Sequence, residues 1–258
     1  MTSDLALSQS GFVTTIEIRR PPLNFFDLLL IRQIANAVEA IDKDPSVRAV
    51  VLAAEGKAFC AGANFNEPAP SPERSVGDTA IGHLYLEAVR LFSARKPIIA
   101  AVHGAAIGGG LGLAMAADFR VTCPEARFSA NFTRLGFHPG FGLTVTLPEA
   151  IGETNAALMF YTSRRVTGED AFKMGLASVL VAQDQVRAAA FKLAEEIAEC
   201  SPLGVVATRA TIRRGLANRV RAATEHELAE QTRLRATEDF KEGIKAMAER
   251  RVPNFKGR

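Results

Sequence analysis

The sequence predicts an α/β fold, and three features carry that expectation. Two runs rich in β-branched and small apolar residues, Arg48–Ala53 and Pro97–Val102, have the composition of buried strands. Each leads into a turn of small residues: Gly56–Asn64 after the first, and the triplet Gly108-Gly109-Gly110 after the second. Helix-periodic segments lie between these units, and from Gln183 onward the pattern is helical throughout.

Taken in order, Gly11–Arg19 alternates through Phe12, Val13, Ile16 and Ile18 and reads as a strand. Asp27–Ile41 sets Leu28, Ile31, Ile34, Ala35, Val38 and Ile41 at helical spacing, with Asp27 as the N-cap. The segment 66–78, with three prolines and a glycine, reads as a loop. His83–Ala94 follows as a helix and Arg127–Ser129 as a short strand. Helices are expected over Glu149–Tyr161 and over Gly168–Met174, the latter stopped by Gly175. Three more, Gln185–Cys200, Pro202–Gly215 and Arg221–Glu249, complete the chain.

Composition excludes several classes. No apolar run is long enough to span a membrane, and Met1–Leu5 has no basic segment with an apolar stretch behind it, so a cytoplasmic protein without a membrane partner is expected. Cys60, Cys123 and Cys200 are odd in number and widely spaced, which argues against a disulfide framework. The four histidines show no zinc spacing, so no metal is expected. Residues 201–258 carry 13 Lys/Arg against 7 Asp/Glu, which suits an anionic partner. No nucleic-acid-binding motif accompanies that charge, so nucleic acid is not the expected partner.

The chemistry concentrates at the two strand ends. A glycine triplet opening a helix aims backbone N–H groups and the positive end of the helix dipole at whatever lies against it. A second strand end with small side chains, at Cys60-Ala61-Gly62-Ala63, can supply another N–H. Two such donors make an oxyanion hole. Tight strand–helix packing is the plainer use of the same glycines.

Together the two segments resemble the crotonase (enoyl-CoA hydratase/isomerase) superfamily. The resemblance rests on Phe59-Cys60-Ala61-Gly62-Ala63-Asn64 and on His103-Gly104 leading to Gly108-Gly109-Gly110, where Asn64 stands for the usual Asp and His103 for the usual Asn. It extends to Arg20-Pro21 with Asn24, to Leu135-Gly136 with Pro139-Gly140, and to Arg250-Arg251 through Phe255. It implies a spiral of ββα units over residues 1–198 and an all-helical oligomerisation region over 199–258, assembled as a trimer or as a hexamer made of two trimers. It implies an acyl-CoA thioester substrate, coenzyme A being part of that substrate, and no prosthetic group. Ala61, Ala63 and Phe65 would meet the adenine end, and the amides of Ala63 and Gly109 the thioester oxygen. Lys57 and Arg250 would meet CoA phosphates, Lys57 having bulk solvent as its alternative.

The chain departs from the family at its carboxylates. Hydratases of the superfamily carry glutamates at the positions of Gly112 and Phe132, and relatives carry an aspartate at Gly140. None of these three residues can exchange a proton. His138, in the pocket segment, is the expected substitute acid or base, and a partly buried histidine with one backbone hydrogen bond is its alternative. His83 is a second candidate, or simply the residue that starts its helix. Tyr85 and Glu87 face either the pocket or solvent, and Glu67 and Asp78 are expected to be solvated. Phe132, Phe137 and Phe141 suggest an apolar acyl pocket. Two functions follow: a crotonase-type acyl-CoA enzyme for which standard hydration is not expected, or a non-catalytic acyl-CoA carrier or sensor.

Overall fold

The computed structural model describes residues 4–65, 71, 74 and 83–258. The expected loop, with Glu67 and Asp78, lies outside them apart from Ser71 and Arg74. In chain order the first half runs β1 (Leu5–Ser10), β2 (Val13–Ile18), α1 (Leu28–Lys43), β3 (Ala49–Ala54), β4 (Ala58–Cys60), α2 (Leu84–Phe92), β5 (Ile98–Val102), β6 (Ala105–Ile107) and α3 (Gly109–Ala116). Then come β7 (Phe119–Thr122), β8 (Arg127–Ser129), α4 (Leu143–Thr162), β9 (Val166–Thr167), α5 (Gly168–Lys173) and β10 (Val179–Leu180). Four helices close the chain: α6 (Val186–Ala198), α7 (Pro202–Ile212), α8 (Leu216–Arg235) and α9 (Glu238–Ala248).

The strands form two sheets. One has the order β1-β2-β3-β5-β7-β10, parallel except for the antiparallel β1 edge. The other has the order β4-β6-β8-β9, with β9 antiparallel. The pairs β3–β4 and β5–β6 each put a long strand in the first sheet, a short one in the second, and a helix after them. That repeat is the expected ββα spiral. Every residue of β3 and β5 is buried, as the unbroken apolar runs require, and α6 lies across β3, β5 and β7.

Local chemistry explains most boundaries. Asp27 caps α1 by accepting from Leu30 N at 2.9 Å. Inside α4, Gly152 takes φ 77° and ψ 156°, so the long helix is broken just after the expected start at Glu149. Arg221–Glu249 is two helices rather than the expected one. Thr237 accepts from Phe240 N and restarts the chain as α9, with Glu238 and Asp239 in its first turn. The sequence reading also missed β1, which is half-buried to exposed and exists through its pairing with β2.

The helical tail folds onto its own body in part: α8 packs on α2 and α4, and α9 on the 3-10 turn Thr133–Leu135. Helix α7 instead leaves Leu203 83% and Ile212 79% exposed.

At the front of the fold Arg20 bridges Asp4 and Asp27, at 2.7 Å each, and Arg74 adds ion pairs to both at 3.0 and 3.3 Å. Burial pushes the Asp4 carboxyl up, but the Arg20 and Arg74 guanidiniums outweigh it and hold it below the usual carboxylate range. A carboxyl depressed by folding contributes stability above its unfolded pKa and loses it as pH falls through its folded pKa. Wild-type protein is therefore expected to lose urea resistance below about pH 4, and Asp4→Asn to flatten that acid slope. An unchanged slope in Asp4→Asn would contradict this.

Candidate active site

Asn24 organises the front of the site. Its side chain is fully buried, donates to Glu55 O at 2.6 Å and Ala58 O at 2.7 Å, and accepts from Arg20 N at 3.0 Å. Those bonds hold residues 22–26 beside β4. Ala61 N then donates to Leu23 O, and Phe26 N to Gly62 O, both at 2.9 Å. Phe25 and Phe26 are thereby carried to the end of β4.

The second strand end meets the first there. Gly108, at φ 56° and ψ −122°, caps α3 with a backbone conformation that favours glycine. A side-chain carbon on Gly110 would overlap Cys60 O, and one on Gly62 would stand 3.8 Å from Gly109 N. The two turns are in backbone contact, so side chains at these glycines are excluded. Among the described residues outside the regular elements, neither Ala63 N nor Gly109 N donates to a backbone carbonyl.

Both residues border a cavity of about 580 Å³. Of the residues singled out from sequence, Ala61, Ala63, Phe65, Tyr85, Gly109, Phe132, Phe137 and Arg250 line it together. Lys57, His83, His138 and Gly140 do not. Lys57 is exposed on the turn before β4. The His83 ring is buried and caps α2, its Nδ1 accepting from Tyr85 N at 3.0 Å. His138 turns its ring toward His226, 5.9 Å away between centroids, with Nδ1 2.8 Å from Pro139 O. Gly140 lies behind Tyr85, whose hydroxyl occupies the space a side chain there would need.

The cavity walls are aromatic. Phe132 packs edge-on against Phe137 at 5.5 Å, and Phe137 meets Phe65 at 5.8 Å. Phe141 is fully buried behind Gly109 and fills the place a carboxylate at position 112 would take: a Cβ on Gly112 would stand 2.6 Å from Phe141 Cβ. No Asp or Glu lines the cavity among the described residues. Glu87 is held by Arg32 at 2.8 Å and by Arg90.

Polar groups reach the cavity from distant elements. Tyr85 OH donates to Gln231 Oε1 at 3.0 Å, and Gln231 Nε2 donates to His138 O at 2.8 Å. Burial, and secondarily the Glu227 carboxylate, push the Tyr85 phenol up, so it stays a neutral O–H donor near pH 7. Glu227 is itself fully buried and accepts from Gly142 N at 2.8 Å, Thr144 N at 3.1 Å and Thr144 Oγ1 at 2.6 Å. Burial pushes its carboxyl up despite those donors. It caps α4 and fixes the turn on which Tyr85 rests. Glu227→Ala is expected to cost about 2–3 kcal/mol in urea denaturation, the scale of hydrogen bonds to a charged group; a loss under about 0.5 kcal/mol would contradict that role.

Sequence reasoning missed Phe25, Phe26, Arg165, Gln231 and Arg235, all of which line the cavity. One signal was available. Glu227, Gln231 and Arg235 recur at a spacing of four on α8, a polar stripe where burial demands partners. Among the described residues no cluster of three His, Cys, Asp or Glu could hold a metal, and no helix is long and apolar enough to cross a membrane.

The family model for enoyl-CoA hydratase/isomerase matches residues 8–258. The chain belongs to the enoyl-CoA hydratase/isomerase family. It is 33% identical over 257 residues to the 2,3-dehydroadipyl-CoA hydratase of Escherichia coli (strain K12), covering 99% of this chain and 100% of that protein. It is 31% identical to a probable enoyl-CoA hydratase of Bacillus subtilis (strain 168), with 98% of each chain covered. Among solved structures, an enoyl-CoA hydratase/isomerase from Pseudoalteromonas atlantica T6c superposes with a TM-score of 0.86 at 28% identity, over 98% of this chain and 100% of that one. The family's fold is thus this chain's fold, helical C-terminal region included.

Proposed function

We propose that this member of the enoyl-CoA hydratase/isomerase family is an acyl-CoA enzyme that stabilises a thioester enolate between the amides of Ala63 and Gly109. The placement of both residues on the wall of one aromatic cavity, at the ends of two neighbouring strands, carries the reading. As charge develops on the thioester oxygen, each preorganised donor is worth roughly 2.7–4 kcal/mol. The N-terminus of α3 adds its dipole from the same side. Ala61, Ala63 and Phe65 are assigned the adenine end, and Arg250 the phosphates, with Lys57 a further phosphate contact from the adjoining turn.

The same cavity argues against hydration by a pair of carboxylates. Gly112, Phe132 and Gly140 stand at the three acidic positions, and Phe141 and Tyr85 fill the space that side chains at 112 and 140 would need. His138 is not assigned proton transfer, because its ring turns to His226. Tyr85 brings an exchangeable proton to the cavity wall, and as a neutral phenol it can donate rather than accept. Crotonyl-CoA hydration, followed as loss of the conjugated thioester absorbance, is expected to run about 10²–10⁴-fold below a two-glutamate hydratase. Turnover at that hydratase's rate would overturn the assignment. Acyl-CoA binding without turnover of any acyl-CoA would make the chain a carrier or sensor.

The exposed Leu203 and Ile212 of α7 support a trimer or a hexamer. Light scattering is expected to give three or six times 27.7 kDa, and a monomer at micromolar concentration would contradict it.

A further inference from the structure

We propose that Arg235 is a specificity-determining residue that binds a carboxylate carried on the acyl group, so that the preferred substrate is a carboxyacyl-CoA thioester; this rests on the acyl-CoA reading above. Arg235 ends α8, one turn beyond Gln231, and is half-buried in the cavity wall. Its Nε is buried without a hydrogen-bond partner, and its guanidinium forms no ion pair among the described residues. Arg20, Arg209 and Arg213 also carry a buried nitrogen without a hydrogen-bond partner, but each of them has an ion pair. Arg20 is paired with Asp4 and Asp27, Arg209 and Arg213 with Asp118, and Arg120 donates to Leu176 O at 2.5 Å and Ala117 O at 3.1 Å. A half-buried guanidinium beside an aromatic ring, with no ion pair among the described residues, is a ready partner for a ligand carboxylate.

Position separates Arg235 from Arg165 and Arg250, which also line the cavity. Arg165 and Arg250 are exposed, where the phosphates of coenzyme A can reach them. Arg235 sits further in, its Cζ 5.7 Å from the Phe137 ring centroid. Phe137 packs on Phe132 at 5.5 Å, and Phe132 Cζ is 3.8 Å from where a side-chain carbon on Gly108 would stand. Ring contacts through Phe137 and Phe132 thus link the guanidinium to the glycine turn assigned to the thioester. An acyl chain lying along those rings and ending in a carboxylate would meet the planar guanidinium, which binds it through two parallel N–H donors. Among the described residues no Asp or Glu lines the cavity to pair with Arg235.

Calorimetric titration of the full chain with succinyl-, glutaryl- and adipyl-CoA, against butyryl- and hexanoyl-CoA and free CoA, tests this. At least one carboxyacyl-CoA is expected to bind tenfold or more tighter than its neutral counterpart. Arg235→Gln should erase that difference while leaving free CoA and butyryl-CoA affinities within twofold, and Arg235→Lys should keep part of it. Thermal melting of each variant confirms that it is folded. Equal weakening of free CoA, neutral and carboxylated ligands in Arg235→Gln would make Arg235 a phosphate contact and overturn the proposal. So would a wild-type protein that binds neutral and carboxylated chains alike. Failure of every CoA ligand, free CoA included, would instead overturn the acyl-CoA reading beneath it.

Discussion

Replacing Gly109 by valine is expected to lower acyl-CoA affinity by at least about a hundredfold, roughly 2.7 kcal/mol. A side-chain carbon at position 109 would stand well inside van der Waals contact of Phe26 Cζ and Cε1 and 3.5 Å from Phe141 Cδ2. Either the Phe26 ring swings into the cavity, or the start of α3 withdraws and takes the Gly109 amide with it. Both displace the thioester. Overpacking of this kind also costs about 1–3 kcal/mol of stability, so titrations belong well below the melting point of the variant. Gly109→Ala should fall between valine and wild type. Equal binding by Gly109→Val and the parent would mean that the triplet serves packing alone.

Asp118→Ala is the change expected to damage stability most. Asp118, just past α3, accepts from Arg209 Nε at 2.9 Å, Arg213 Nη1 at 3.0 Å and Ile98 N at 2.8 Å. It joins α7 to the start of β5. All three side chains are nearly buried, at 8–14% exposure. Burial pushes the Arg213 guanidinium down, and the charge of Asp118 offsets part of that. Removing the carboxylate strands two cations and an amide, a loss of roughly 3–5 kcal/mol for a buried pair left open. For a domain stable by about 5–15 kcal/mol this is a large fraction. Urea denaturation measures it, and replacing both arginines by methionine in the Asp118→Ala background should restore part of the loss. A cost under about 1 kcal/mol would show that solvent screens the cluster.

What the sequence conveyed well was local. Asp27 was readable as a cap because its oxygen needs only the amide three residues on, and Ala49–Ala54 because a buried parallel strand is continuously apolar. The strand ends holding Ala63 and Gly109 were readable because close backbone approach demands small residues in a fixed local order. Strand β1 was not, since Leu5–Ser10 becomes a strand only by pairing with β2. The break before α9 was overlooked although Thr237-Glu238-Asp239 is a capping sequence. Tyr85 and Gln231 lie 146 residues apart, and only the packing of α2 on α8 brings them together. His138 shows the converse: its segment borders the cavity at Phe137, while its own ring turns to α8.

A crystal structure with a non-hydrolysable acyl-CoA analogue tests the central claim most directly. The thioester oxygen is expected about 2.7–3.1 Å from both Ala63 N and Gly109 N, with the acyl group against Phe132 and Phe137. An analogue bound with that oxygen away from either amide, or seated outside this cavity, would contradict the account.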